Sequence, residues 1–283
     1  MRIHSGLKAT RPDRYGFALI ELMVVLAIIG VLAALALPAV QFSRESARAA
    51  QCKSHLREFA NALHNFESSY QSLPAGNDFA NNTRNSWCTR ILPFLEQSAL
   101  FNQYDWTKPW NNSTGITGQT NNDVTQTNLP VFLCPSEPNI RQGGTDYGGN
   151  LGTSLTGLPV GYDVSDGWES GVLLVINAIT PQPRSSAARL CEITDGMSQT
   201  FMVYESSGRT TEAGHWGSGT NCLAIEYPIN GNPDGETIMS RHRGGGHSLF
   251  ADGHVTFLSN STDLKLIAKM ATRNRAEIVD TSY

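Results

Sequence analysis

Three features that commonly betray a function are missing from this sequence. The first is an excess of positive charge: 21 basic residues stand against 25 acidic ones, for a net charge of −4. A nucleic-acid surface needs a basic stripe or patch, so no nucleic-acid partner is expected. The second is metal or redox spacing among the cysteines. Cys52, Cys88, Cys134, Cys191 and Cys222 lie far apart, with no C-x-x-C pair and no zinc-finger pattern. The third is a catalytic signature. There is no G-x-S-x-G elbow, phosphate loop or dinucleotide fingerprint. Neither an internal repeat nor a long low-complexity tract is present. What remains is 283 residues, enough for one good-sized domain or two small ones.

The strongest feature present is near the start. From Phe17 to Val40 the only charged residue is Glu21. A helix over that stretch is ~36 Å long at ~1.5 Å per residue, enough to cross a hydrocarbon core of ~30 Å. A charge in that setting costs ~2.5–3.5 kcal/mol at the helix centre and less toward an end, so Glu21 marks a function or a partner. Arg2, Lys8, Arg11 and Arg14 precede the run, opposed only by Asp13. Basic flanks hold that end in the cytoplasm and send the rest of the chain across. Three leaders fit. A secretory signal would be cut at a small-x-small site such as Ala34-Leu35-Ala36. A plain anchor would not be cut. A prepilin signal would be cut before the apolar run, leaving the helix in the product.

Gly16-Phe17-Ala18-Leu19-Ile20-Glu21 resembles the G-F-x-x-x-E of bacterial prepilins and pseudopilins. The resemblance implies cleavage between Gly16 and Phe17 by prepilin peptidase, methylation of the new terminal Phe17, and a role for Glu21 in subunit assembly. Ala18 departs from the threonine common in that family, and Pro38 falls where many pilins carry a helix-loosening proline. Cleavage would leave an α-amine on Phe17 in apolar surroundings, where a charge needs an opposite partner. Glu21 of a neighbouring subunit would supply it and set the axial register of a filament.

After Pro38 the sequence turns polar but keeps a helical period. Ala49, Cys52, Leu56, Phe59, Leu63, Phe66 and Tyr70 recur at steps of three and four, forming one apolar stripe that should pack on the domain that follows. The expected fold class is α+β. A long N-terminal helix, half membrane-spanning and half amphipathic, packs on a mostly antiparallel β head with loops and a short C-terminal helix. The expected divisions are 1–16 (basic leader), 17–40 (transmembrane or filament-core helix), 41–71 (amphipathic continuation) and 72–283 (head). Within the head, Leu73-Pro74-Ala75-Gly76 stops the helix. A short helix is expected over Ile91–Tyr104 and a loop over WNNSTGITGQTNNDVTQTN. Strands are expected in PVFLC (Pro130–Cys134), GVLLVINAI (Gly171–Ile179) and TFMVYE (Thr200–Glu205). SLFADGHVTFL reads as two strands around a two-residue Asp252-Gly253 turn with both positions at φ > 0, and a closing helix runs over about Asp263–Ala271.

HRGGGHSLFADG, from His242 to Gly253, resembles the H-x9-D-G end of a large bacterial family of unknown function whose members also begin with a prepilin segment. QCKSHL, ALHNF, ILPFLEQ, FLCPS, ITDGMSQTFMVYE and ATRNRAE agree in the same order, so the resemblance covers nearly the whole chain. Cys88, Cys191 and Cys222 are outside that pattern. The resemblance implies no biochemical activity. By their chemistry, His242, His247, Asp252 and His254 could hold a divalent transition metal if they met. Asp252-Gly253 suits a tight turn by itself, however, and three glycines before His247 suit a loop passing close to another backbone. We therefore read the motif as structural and expect no metal and no cofactor. Asp195-Gly196 and Asp166-Gly167 read as turns, since a calcium loop wants denser oxygen ligands.

The function expected first is a structural one: a pilin-like or pseudopilin subunit that is single-pass in the inner membrane. Its N-terminus is cytoplasmic and its head periplasmic or at the cell surface. It oligomerises with itself or with other pilin-like subunits in a type II secretion or type IV pilus-like filament. The alternative is a membrane-tethered module that binds a solute, glycan or surface partner; an enzyme comes third. A Cys52–Cys134 disulfide would tie the helix to the head and close a loop of ~80 residues, although Cys191 with Cys222 is an equally legal pair.

Overall fold

The computed structural model describes residues 19–79, 83–114, 119–153, 155, 170–176, 187–232 and 237–275. The chain forms two compact units, Met1–Ser46 and Ala47–Tyr283. The basic leader, with Gly16 and Phe17, lies outside the described residues.

A single helix, α1 (Leu19–Tyr70), begins in the first unit. It is long and apolar enough to cross a membrane. In the first unit its large apolar side chains are exposed all round, from Leu19 and Ile20 through Leu35, Leu37 and Val40. A helix apolar on every side must be covered by something other than water. Pro38 lies inside α1, and helical structure continues across it. The proline withholds one hydrogen bond from the carbonyl of Ala34 without ending the helix. α1 ends where Gln71 enters the left-handed region at φ 57°.

In the second unit α1 becomes one-sided. Cys52, Leu56, Phe59 and Leu63 are fully buried, Ala49 and Phe66 half-buried, and Tyr70 exposed. The stripe packs on a five-stranded sheet made of β3 (Tyr147–Thr153), β5 (Phe201–Glu205), β6 (Cys222–Ile225), β7 (Gly245–Phe250) and β8 (Val255–Ser259). Their spatial order is β6-β3-β5-β7-β8. The β3–β6 pair is parallel and the other three pairs are antiparallel. Alternation along the strands divides the core. Leu249 and Val255 join α1's Leu56, Phe59 and Leu63. Their neighbours Phe250 and Leu258 join Ile267 and Met270 of α5 (Leu264–Met270). The sheet thus lies between α1 and α5, and α5 starts at Asp263, whose side chain accepts from the Lys265 amide at 3.1 Å. A three-stranded patch of β1 (Asn77–Asp78), β2 (Asn85–Ser86) and β4 (Val175–Ile176) sits apart, with β1 central. The fold is α+β.

Several local expectations need correction. Pro130–Phe132 is a turn of 3-10 helix rather than a strand. Pro130 opens it with φ already set and no amide to satisfy, and Phe132 turns inward to stack on Phe59 at 5.5 Å between ring centroids. The expected helix over Ile91–Tyr104 starts earlier and breaks in two. Ser86 caps α2 (Trp87–Ile91), a 3-10 segment spans Leu92–Leu95, and α3 covers Ser98–Gln103. Pro93 and Glu96, the latter at φ 60°, cause the break. The expected loop contains α4 (Asn121–Thr125), started by a capping box between Thr120 and Asp123. Of Gly171–Ile179 only Val175–Ile176 is strand, because residues 171–173 bend onto the Asn150 and Leu151 carbonyls; residues 177–179 lie outside the described residues.

The β7–β8 connection also differs from a two-residue turn. The Gly253 amide donates to the Phe250 carbonyl at 2.9 Å, and the Phe250 amide to that of His254 at 3.0 Å. That is a three-residue loop, a turn followed by a bulge, in which only Gly253 has positive φ, at 91°. Asp252 instead accepts from the His254 amide at 3.0 Å.

Candidate functional site

Strand β5 ends in Glu205, whose carboxylate is completely buried. On neighbouring β7, the His247 amide donates to Glu205 Oε2 at 3.0 Å, and His247 Nδ1 lies 2.9 Å from Oε1. His242, just before β7, brings Nε2 to 3.5 Å from the same Oε1. Its own amide is held by Ser240 Oγ at 3.1 Å. Between the histidines the chain must turn and then pass close to β8. Gly244 has φ 82°, and a Cβ on Gly245 would collide with the Leu258 carbonyl. The glycine run is therefore structural, as its composition suggested.

His242 Nε2 also faces Cys134 Sγ at 3.7 Å. Cys134 Sγ in turn lies 2.7 Å from Sγ of Cys52 on α1. One turn along α1, His55 Nδ1 meets the Tyr147 hydroxyl at 3.2 Å. Ligand atoms of Cys52, Cys134, Glu205 and His242 all lie within 4.8 Å of one another, and all four residues are buried. QCKSHL, FLCPS, TFMVYE and the H-x9-D-G segment each contribute one of them.

The electrostatics follow from these contacts. Burial would raise the Glu205 pKa, but hydrogen bonds from His242 and His247, with their charges, outweigh it and hold the carboxyl down at about 2. The Cys52 contact, and then His242, draw Cys134 down to about 6. The same contact, with burial, raises Cys52. One proton is thus lost from the pair more readily than the second, because the remaining thiol hydrogen-bonds the thiolate. Behind Cys134, burial pushes Asp146 up to about 7, while Asp146 Oδ2 accepts from the Cys134 amide at 2.8 Å. A thiol–thiolate pair beside an imidazole and a carboxylate can close a disulfide or ligate a soft divalent ion.

The four residues of the C-terminal motif do not all meet. His242 and His247 share Glu205, whereas Asp252 and His254 pair with each other at 2.6 Å on the hairpin tip. The length of β7 separates the two ends, and both reach α1. His242 does so through the cysteines. At Gly253 a Cβ would lie 3.6 Å from His64 and 3.8 Å from Ala60. The nine-residue spacing spans the seat on which this part of α1 rests. Elsewhere, Gly196 sits in a turn at φ 102°, and Asp166-Gly167 lies outside the described residues.

Reading the sequence left Glu205, Tyr147, Asp146 and His55 without roles. The available signal was an acid closing an otherwise apolar strand. A separate cleft of about 570 Å³ includes Phe66, Leu73, Asp78, Arg90, Arg189 and Glu192 in its lining. Its arginines are already engaged, Arg90 with Asp78 at 2.9 Å and Arg189 with Glu192 at 3.0 Å.

Two family models match the chain. The prokaryotic N-terminal methylation motif covers residues 11–37, and therefore Gly16, Phe17 and Glu21. The family described as "Protein of unknown function (DUF1559)" matches residues 41–223 and 206–265. The chain belongs to this family. Cys52, Cys134, Glu205 and His242 all fall within the match. No curated protein and no solved structure matches the chain. Methylation motif, apolar helix and family together describe a pilin-like protein of the prepilin-processed type.

Proposed function

We propose that this protein is a pilin-like subunit of a type II secretion or type IV pilus-like filament. Prepilin peptidase cuts it between Gly16 and Phe17 and the new terminus is N-methylated. The helix then stands in the inner membrane with the head on the far side, ready to assemble with copies of itself or with other pilin-like subunits. The observation that carries this reading is the methylation motif at residues 11–37 running into a helix with apolar side chains exposed on every side. Lipid covers such a surface before assembly, and helices of other subunits cover it afterwards. The Phe17 α-amine of one subunit and the Glu21 carboxylate of the next supply the charge pairing that a buried terminus needs.

The cleft near Arg90 and Arg189 is what supports the alternative of a tethered binding module. With both arginines paired to carboxylates it offers little net charge to a ligand, and we favour the filament. Glu21→Ala separates the two readings. The variant should insert in the membrane at the wild-type level, while its recovery in sheared filaments, probed by antibody, should fall at least about tenfold. Unchanged recovery contradicts the filament reading.

A further inference from the structure

All five cysteines carry free thiols in the structure. Two of them face each other. We propose that Cys52 and Cys134 are joined as a disulfide in the exported protein, a covalent staple between α1 and the segment that leads into β3.

The two residues are 82 positions apart, yet their sulfurs touch. Each is held from behind. Cys52 sits on a helix and is completely buried. Cys134 is fixed by its amide on Asp146 and by its carbonyl, which accepts from the Glu137 amide at 2.9 Å. The remaining cysteines are disposed otherwise. Cys88 Sγ lies 3.3 Å from Asn221 Nδ2, Cys222 Sγ lies 3.2 Å from the Leu173 carbonyl, and Cys191 is exposed. The alternative of Cys191 with Cys222 has no such support.

The same cluster has the donors for a metal, two sulfurs with an imidazole and a carboxylate. The occupied ligand atoms argue against it. Glu205 Oε2 already accepts from the His247 amide at 3.0 Å, and both imidazoles lie within 3.5 Å of Oε1. What is left over is a pair of sulfurs in mutual contact.

The bond forms by thiol–disulfide exchange. The reaction consumes a small-molecule or protein disulfide, R–S–S–R, of the oxidising compartment that the head enters. The Cys134 thiolate attacks one sulfur of R–S–S–R and expels RS⁻, giving a mixed disulfide. The Cys52 thiol then loses its proton, and the Cys52 thiolate attacks Cys134 Sγ and expels the second RS⁻, which takes that proton up. The protein dithiol is oxidised, R–S–S–R is reduced to two RSH, and the two protons end on the released thiols. Both cysteines are buried in the finished fold, so the exchange belongs to a folding stage before they are covered.

The experiment is a thiol count on the full chain, extracted in detergent without reductant, denatured and alkylated. Of the five cysteines, Cys88, Cys191 and Cys222 should alkylate, and peptide mapping should find a cross-link joining Cys52 to Cys134. Cys52→Ala and Cys134→Ala should each lower the melting temperature by about 10 °C, and the double variant by no more than either, since all three lose the same bond. Five reactive thiols overturn the proposal, as does any other connectivity. Stoichiometric bound metal with both thiols recovered after chelation overturns it in favour of a metal centre. The count on Glu21→Ala protein should be the same as on wild type, which keeps the outcome separate from that of the filament test.

Discussion

Replacing Gly253 by valine tests whether the H-x9-D-G end is a structural device. Gly253 has φ 91°, and a Cβ placed there meets nothing closer than His64 Nε2 at 3.6 Å, an ordinary contact. Steric collision is therefore absent, and the cost is that of the backbone alone. A left-handed conformation costs an ordinary L-residue about 1–2 kcal/mol, more for a β-branched one and less for asparagine. At about 2–4 °C per kcal/mol for a domain of this size, Gly253→Val should lower the melting temperature by roughly 3–8 °C. Gly253→Asn should lose about half as much or less. The assay is thermal unfolding of the detergent-solubilised chain, followed by tryptophan fluorescence with and without a chelator. Equal losses for valine and asparagine would refute the backbone argument. A wild type destabilised by the chelator would refute the structural reading of the motif.

Further outcomes follow from the core, the buried acid and the membrane helix. Phe59 is fully buried against Trp87, Phe132 and Tyr147, with ring centroids 5.1 to 5.7 Å away; Phe59→Ala should cost about 3–5 kcal/mol, measured by urea unfolding. Asp146 keeps its proton to about pH 7 in the folded state, against an ordinary value of 3.8. A raised carboxyl pKa means the folded state binds more protons, so its contribution to stability falls as pH rises from about 4 to 7, by ~4 kcal/mol in full. Asp146→Asn keeps an acceptor for the Cys134 amide, and its stability relative to wild type should increase across that window; a constant difference contradicts the assignment. Protease added to spheroplasts should digest the head and spare a small membrane-protected fragment, and a fully protected head contradicts the topology.

What could be read from the sequence was whatever carries its own period. The apolar run after Phe17, the stripe from Cys52 to Leu63, β5, the β7–β8 pair and the closing helix all announce themselves by spacing. β3 does not. Its sequence, YGGNLGT, has almost no apolar side chains, because its surroundings are crowded; a Cβ on Gly149 would come within 2.8 Å of both the Trp87 ring nitrogen and Leu173. PVFLC reads as a strand by composition, but Pro130 and the inward turn of Phe132 make it a 3-10 helix. The Thr120–Asp123 capping box was present in the sequence and outweighed by the polar residues around it. The proximity of Cys52 and Cys134 was legible as one of two options because Cys52 lies on the buried stripe. That Glu205 joins His242 and His247 was not legible, since strand order across the sheet decides it.

The mature N-terminus tests the central claim most directly. Intact-mass and N-terminal fragment analysis of protein from native membranes should find a chain beginning at Phe17 and carrying one added methyl group. A chain that begins at Met1, or near Leu37 after a secretory cut, contradicts the account.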